Sequence, residues 1–146
     1  MKIHVWPGLL ALIVTLTAFA HVGGPGIFGD WKTPDGSVVR AYPCSTALCL
    51  KIVAISSEAP GTVDQNNPDR ALRTRSLCNL EIGDQFVLSG QSSAAGGRLY
   101  DPLSGKTYKG SIDLAGDTLK LRGYVGIPLF GRTETWTRTG DTKPCS

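Results

Sequence analysis

Histidine is scarce in this sequence. There are 2 in 146 residues, and only His21 lies beyond the apolar segment near the N-terminus. His21 would be the flexible first residue once an N-terminal leader is removed, which makes it a poor base for a Ser-His-Asp or Cys-His arrangement. Metal sites built from several histidines need more than one. The G-x-S-x-G motif of many serine hydrolases is also missing. We therefore expect no enzyme, no metal site and no cofactor.

Carboxylates are the remaining groups for acid–base catalysis, because a pair of them can hydrolyse a glycosidic bond. Asp64, Asp69 and Asp101 lie in loop-like stretches, where such aspartates more often form turns. A carboxylate-based hydrolase is therefore the third functional hypothesis. The stretch DQNNPD also resembles the start of a calcium loop. Its sixth position is Asp69 rather than glycine, and its twelfth is Arg75 rather than glutamate, so calcium is a minor alternative.

The sequence has no strong excess of positive or negative charge. The 15 Lys+Arg and 12 Asp+Glu give a net charge of +3, which falls to +2 if Lys2 is removed with an N-terminal leader. Such a small, interspersed excess does not indicate binding to nucleic acid or to an anionic membrane.

Long apolar runs are absent after residue 20. The run LLALIVTLTAFA at 9–20 follows Lys2 and ends in Ala-Phe-Ala, the small-x-small form that signal peptidase recognises. It is short for a membrane-spanning helix, although an uncleaved anchor is the alternative. We predict a signal peptide at 1–20 with cleavage after Ala20, and a single domain at 21–146 that is periplasmic or secreted and has no membrane span.

Four cysteines follow the predicted leader, and an even number in an exported chain is typical of disulfides. Three pairings are possible. We favour Cys44 with Cys49 as a local loop closure, and Cys78 with Cys145 as a long-range link to the C-terminus. The C-x4-C spacing differs from the redox-active C-x-x-C, and free buried thiols are the alternative.

Apolar and polar residues alternate over most of the chain, which predicts strands rather than helices. The stretches at 106–114 and 118–124 alternate clearly and are joined by a short loop containing glycine. The other candidates are 27–32, 37–42, 48–56, 77–81, 85–89, 98–100 and 132–139. Eight or nine short strands indicate an all-β barrel or sandwich. A helix-like turn at 67–75, capped by Asn67, lies within the long loop 57–75.

The last strand candidate, RTETWTR, places Arg132, Glu134, Trp136 and Arg138 on one face. In a closed barrel the first and last strands are neighbours, so Arg138 can stack on Trp31 and close one end. Such a cation–π contact is worth about 0.5–2 kcal/mol. The alternative is that the two tryptophans are unrelated residues of an ordinary core.

These residues resemble known families. Gly29-x-Trp31 with a late arginine is similar to the lipocalin signature. The chain more closely resembles an exported bacterial family, domain of unknown function number 2147, through GDWKTPDG, LCLKIV, DQNNPDRALRTRSL, LYDPLSGKTYKGSIDL, TLKLRGYVG and LFGRTETWTR. The resemblance implies an up-and-down, lipocalin-like antiparallel barrel of about eight strands, and it implies no chemistry. Leu50 and Asn79 depart from it, because glycine is expected at both positions.

A barrel of this size is either filled by its own side chains or wide enough for one small ligand. The first hypothesis is a small apolar ligand in the open end, against the inward-facing residues Tyr108, Ile112, Leu114, Leu119 and Leu121. The alternative is a filled barrel that serves as an envelope protein-interaction or structural module. Its working surface would be the loop residues Asn66, Asn67, Asp69 and Arg70. The expected partners are thus a small molecule or an envelope protein, and no nucleic acid.

Overall fold

Short turns join most of the strands, and the chain winds into a closed barrel. The computed structural model describes residues 26–145; the predicted leader, its cleavage after Ala20, and His21 lie outside this range. Eight antiparallel strands follow one another in chain order, and the last pairs with the first. They are β1 Gly29–Lys32, β2 Val38–Cys44, β3 Ala47–Ala54, β4 Glu81–Ser89, β5 Ser93–Asp101, β6 Lys106–Ala115, β7 Thr118–Tyr124 and β8 Arg132–Arg138.

The all-β class predicted from the alternation is confirmed, and so is the up-and-down barrel that the resemblance implies. One predicted strand is wrong: within 77–81 only Glu81 is extended, as the first residue of β4. The turn before it contains Asn79, whose φ of 61° lies in the left-handed region. Asparagine tolerates this conformation better than most residues, which explains how it can stand where glycine is expected.

The long connection between β3 and β4 contains a single 3-10 turn, Arg70–Leu72. The helix-like turn predicted at 67–75 is therefore shorter than expected. Its cap is Asp69, whose side chain accepts a hydrogen bond from the Ala71 N–H at 2.9 Å. The predicted cap, Asn67, is wrong, because its side-chain oxygen accepts from the Asp69 N–H at 2.8 Å, one residue before the turn begins. Its amide nitrogen donates to the side chains of Asp64 and Tyr100.

One half of the barrel interior is filled by large side chains that have no access to solvent. Phe86 lies against glycines on two neighbouring strands: a Cβ on Gly97 would be 2.4 Å from its ring, and one on Gly110 would be 2.9 Å away. Leu50 packs in the same manner on Gly83. The large residue at position 50, where the resemblance predicts glycine, thus has a glycine opposite it on β4.

A β-bulge interrupts both β4 and β5. The partners of Gly83 and Phe86 on β3 are only two residues apart, so β4 has one extra residue there. Strand β5 likewise has one extra residue relative to β6. Gln85 and Gly96 take left-handed φ values of 61° and 71° at these points. Because side chains alternate along a strand, the extra residue on β4 allows both Gly83 and Phe86 to face inward.

Strand β1 is short, and this leaves the barrel wall incomplete near one end. It is in register with β8 only through Trp31 with Arg138 and Lys32 with Thr137. In the described part of the chain, the half of β8 that begins at Arg132 therefore has no partner in β1.

Two disulfides hold the connections, and both pairings are those favoured from the sequence. Cys44–Cys49 links β2 and β3 across their turn, and Cys78–Cys145 attaches the C-terminal segment to the β3–β4 connection. The Cys145 N–H also donates to the Val53 carbonyl at 2.7 Å. Paired cysteines of this kind are typical of proteins from an oxidising compartment. Between residues 26 and 145 the structure has no helix of sufficient length and apolarity to cross a bilayer.

Candidate functional site

One end of the barrel is closed by Trp31 and Arg138. The guanidinium carbon of Arg138 lies 4.2 Å from the centre of the Trp31 ring, and Trp31 is fully buried. Arg138 also donates to the Gly26 carbonyl at 2.8 Å and to Asp117 at 3.1 Å. The Trp31 indole N–H donates to the Ile27 carbonyl at 2.8 Å. The cation thus covers the ring and satisfies backbone carbonyls at the strand ends.

The opposite half of the barrel contains a cavity of about 960 Å³, a volume that includes its mouth. Its mouth is formed by the β1–β2 turn, the long β3–β4 connection, the β5–β6 turn and the β7–β8 connection. The apolar and aromatic side chains of the strands that line it are Val39, Ile52, Ile82, Leu99, Tyr108, Leu121, Tyr124 and Trp136. The wall is thus mainly apolar, as is usual for a small-molecule site.

Two charged side chains from β8 also line the cavity. Arg132 and Glu134 share the inner face of the strand with Trp136, and both are exposed where β8 has no partner in β1. Trp136 is nearly buried, and its indole N–H has no hydrogen-bond partner among the described residues. The unpaired half of β8 therefore contributes one cation and one anion to the cavity, and the turns contribute Asp35 and Asp101.

The five predicted lumen residues are divided between the two halves of the barrel. Tyr108 and Leu121 line the cavity. Ile112 and Leu119 are fully buried in the filled half, and Leu114 packs against the same cluster. These three lie nearer the β6–β7 turn, which is at the closed end.

Several cavity residues were not predicted, and they come from strands outside the β6–β7 hairpin. Val39 and Ile52 are inward-facing neighbours in the β2–β3 hairpin. Leu99 and Trp136 come from β5 and β8. The period-two alternation in LCLKIV and RTETWTR was the available signal for Ile52 and Trp136. It identifies inward residues without showing which half of the barrel they occupy.

The loop at 57–75 is held to the barrel through a buried carboxylate. Asp64 has no solvent exposure and accepts hydrogen bonds from the Tyr100 hydroxyl at 2.5 Å, the Asn67 amide at 2.8 Å and the Arg75 guanidinium at 2.8 Å. Burial raises the pKa of Asp64, but these three donors outweigh it and the net pKa is lowered. Asp64 is thus a charged residue with a structural role, because its carboxylate is bound by three side-chain donors.

The four predicted loop-surface residues have different environments. Asn67 is buried and belongs to the Asp64 network, so its assignment to the loop surface was wrong. Asn66 donates to the Leu103 carbonyl at 2.8 Å, which attaches the loop to the β5–β6 turn. Asp69 caps the 3-10 turn, and Arg70 is exposed. Within residues 26–145 no group of His, Cys, Asp and Glu side chains is arranged to hold a metal ion.

A smaller cleft of about 310 Å³ lies beside the same loop. Its charged residues already have partners: Arg98 forms a two-point ion pair with Asp84, and Arg75 bonds Asp64. Glu81 accepts a hydrogen bond from the Tyr42 hydroxyl at 2.7 Å. The larger apolar cavity is therefore the candidate site.

Comparison with known proteins agrees with this fold. The family described as "Uncharacterized protein conserved in bacteria (DUF2147)" matches residues 29–138, and the chain belongs to that family. The solved structure of protein HP1028 from Helicobacter pylori, described as belonging to the lipocalin family, is similar with a TM-score of 0.70. The two are 23% identical over 77% of this chain and 82% of the other. This similarity shows a lipocalin-like barrel. No curated protein sequence matches the chain.

Proposed function

We propose that this DUF2147 protein binds one small, mainly apolar molecule in the open half of its barrel. The supporting observation is the cavity of about 960 Å³ with apolar walls. Small-molecule sites usually have volumes of about 300–1,000 Å³ and bury most of the ligand surface. Burying apolar ligand surface gains roughly 25 cal/mol per Å², so such a cavity favours a ligand with an extended apolar part.

The position of the charged residues favours a ligand with one polar end. Arg132 and Glu134 line the cavity at its exposed side, whereas Leu99, Leu121 and Trp136 line its buried part. An apolar body against the buried wall would leave a polar group near β8. Charged groups remain partly hydrated there, so the cost of placing a polar group beside them is small.

The cavity supports this proposal over a filled-barrel interaction module. Phe86 and its neighbours fill only the half next to Trp31 and Arg138. The aspartates of the hydrolase hypothesis already have structural roles. Asp64 is buried in an ion pair, Asp69 caps the 3-10 turn, and Asp101 accepts bonds from Leu103 and Ser104 within its own turn. Because these carboxylates are engaged in structural contacts, their roles support a binding protein over a carboxylate-based hydrolase.

We also propose that binding takes place outside the cytoplasm. The disulfides Cys44–Cys49 and Cys78–Cys145 support an oxidising compartment, in agreement with the signal peptide predicted at 1–20.

Filling the cavity tests the proposal. Gly123 lines it, and a Cβ added there would lie 3.6 Å or more from its neighbours, which is ordinary contact. Gly123→Phe should therefore fold normally and occupy ligand space. The matched control is Val87→Phe, because Val87 lies on β4, does not line the cavity and is 66% exposed. The assay is fluorescence of N-phenyl-1-naphthylamine, together with native mass spectrometry for any molecule that co-purifies.

We expect the wild type and Val87→Phe to enhance the probe fluorescence equally, and Gly123→Phe to lose most of the enhancement. A co-purifying molecule should be lost in the same variant. Equal enhancement by a folded Gly123→Phe would contradict binding in the cavity. So would a wild type that neither retains a molecule nor binds the probe.

A further inference from the structure

The β7–β8 connection forms an apolar projection beside the cavity mouth. We call residues 125–130 the lip. Val125, Ile127, Leu129 and Phe130 are 72%, 53%, 76% and 78% exposed. Val125 and Phe130 also line the cavity. Apolar surface therefore continues from the inside of the barrel onto its outer rim.

Another apolar side chain stands on a different part of the mouth. Leu103, in the β5–β6 turn, lines the cavity and is 64% exposed. Asn66 holds this turn through the Leu103 carbonyl. Grouped exposed apolar residues around a concave site indicate a surface that meets something apolar.

The lip is held in a defined conformation. Arg122, on the outer face of β7, donates to the carbonyl of Pro128 at 2.7 Å and to that of Leu129 at 3.3 Å. A third donor of the same guanidinium bonds the Thr133 hydroxyl at 2.8 Å. These bonds satisfy backbone carbonyls of the 3-10 turn Pro128–Phe130, none of whose side chains is buried. The apolar side chains are thus presented outward on a braced backbone.

Cations outnumber anions in the segment that contains the lip, and Asp35, Asp101 and Glu134 line other parts of the cavity. The chain from 102 to 132 carries five cations and two anions, a net charge of +3. Both anions lie toward the closed end: Asp113 is in the β6–β7 hairpin, and Asp117 is in its turn and paired with Arg138. Among the cations, Lys106, Lys109 and Arg132 are exposed in the half next to the mouth.

We propose that the lip and Leu103 insert into the interface of an anionic lipid bilayer, with the cavity mouth facing the membrane. Apolar side chains would enter the headgroup–acyl boundary, while Lys106, Lys109 and Arg132 would contact anionic headgroups. The inference about the ligand that follows rests on the proposed function. In this orientation it is an amphiphile with a hydrocarbon chain that enters the cavity directly from the bilayer.

A bilayer fits the surface better than a second copy of the chain. In a dimer formed mouth to mouth, the two lips would face each other, and the contact would close both cavities. A fluid bilayer adapts to a projecting rim and supplies both the apolar and the anionic component.

Insertion can be measured at the lip itself. The reporter variant is Phe130→Trp, with Val87→Trp on the exposed face of β4 as the matched control. Each is mixed with vesicles of phosphatidylethanolamine and phosphatidylglycerol that contain brominated acyl chains, and the wild-type fluorescence is subtracted. All variants come from the same bacterial host with the same N-terminus, so residues before Gly26 contribute equally. Quenching of the Phe130→Trp reporter, without quenching of the control, is the expected result.

Vesicle flotation provides the second measurement. The double variant Leu129→Ser, Phe130→Ser should lower the partition coefficient by about tenfold or more relative to Val87→Ser, because two exposed apolar side chains no longer leave water. The double variant Lys106→Gln, Lys109→Gln should weaken binding to phosphatidylglycerol vesicles and leave weak binding to phosphatidylcholine unchanged.

Equal quenching of the two reporters, or flotation that does not depend on the lip, would overturn the membrane inference. A dimer in light scattering that the lip substitutions dissociate would also overturn it, in favour of self-association. Probe binding in the absence of vesicles separates the two proposals. Unchanged probe binding by lip variants that no longer float leaves the proposed function intact. Failure of the wild type to bind the probe, with normal lip insertion, refutes the proposed function alone.

Discussion

Gly97→Ala is the most direct test of how the barrel interior is divided. A Cβ at this position would lie 2.4 Å from three atoms of the Phe86 ring, well inside contact distance. The ring has little room to retreat, because it already lies on Gly110 and has no solvent exposure. The single added methyl group must therefore displace either the ring or the backbone of β5.

The expected cost follows from this overlap. Inserting one carbon into a well-packed core usually destabilises a protein by about 1–3 kcal/mol. Because Phe86 is confined on two sides, we expect a value near 3 kcal/mol. For a domain of this size, 1 kcal/mol corresponds to roughly 3–5 °C in Tm, so the melting temperature should fall by about 10 °C.

Gly123→Ala is the matched control, since it adds the same methyl group to the inner wall. There the nearest neighbours would be 3.6–3.9 Å away, and the residue lines the cavity. We expect this variant to be neutral or up to about 1 kcal/mol more stable, because alanine restricts the unfolded chain. Thermal unfolding followed by near-UV circular dichroism measures both variants. Equal melting temperatures would refute the division into a filled half and an open half.

Three further predictions concern the contacts that close and stabilise the barrel. Arg138→Ala should lower the free energy of unfolding in urea by about 1–3 kcal/mol, because stacking on Trp31 is lost and backbone carbonyls are left unpaired. A urea midpoint equal to that of the wild type would show that the closed end of the barrel does not depend on this cation. Replacing Cys78 and Cys145 by serine should cost about 4 kcal/mol, because the disulfide closes a loop of 67 residues; unchanged stability on chemical denaturation would contradict this. The lowered pKa of Asp64 means that its contribution is complete above the unfolded value of about 3.9 and is lost as the pH falls through the folded value. Asp64→Asn should therefore lower the free energy of unfolding at neutral pH and reduce its dependence on pH in the acid range. If the free energy of unfolding of this variant fell with acid as steeply as that of the wild type, other groups, such as Asp30, would account for acid unfolding.

Local patterns predict the parts of this fold in which neighbours in sequence are neighbours in space. The hairpin of β6 and β7 has the register that its alternation indicates, with Ile112 opposite Leu121 and Leu114 opposite Leu119. A short loop fixes this register, because a slip of one residue would turn every apolar side chain outward. The meeting of Trp31 and Arg138 needs one more step, the closure of the sheet, and barrel topology supplies it.

The β3–β4 connection could not be derived in this way, because its contacts are distant in sequence. Asp64 bonds Tyr100, which is 36 residues away, and Asn66 bonds the carbonyl of Leu103. Gly105 is required there, because a Cβ would lie 1.9 Å from the Asn66 carbonyl oxygen. In the sequence these residues look like ordinary turn formers, and only the folded chain shows that they bind one another.

The position of the cavity depends on the bulge at Gln85. Strict alternation from Gly83 would turn Gln85 inward and Phe86 outward. The left-handed conformation of Gln85 adds one residue to β4, and Phe86 then faces inward over Gly97 and Gly110. The matching bulge on β5 keeps β4 and β5 in register beyond this point. A conformation unfavourable for glutamine thus places the largest side chain of β4 across the barrel, between the closed end and the space available to a ligand.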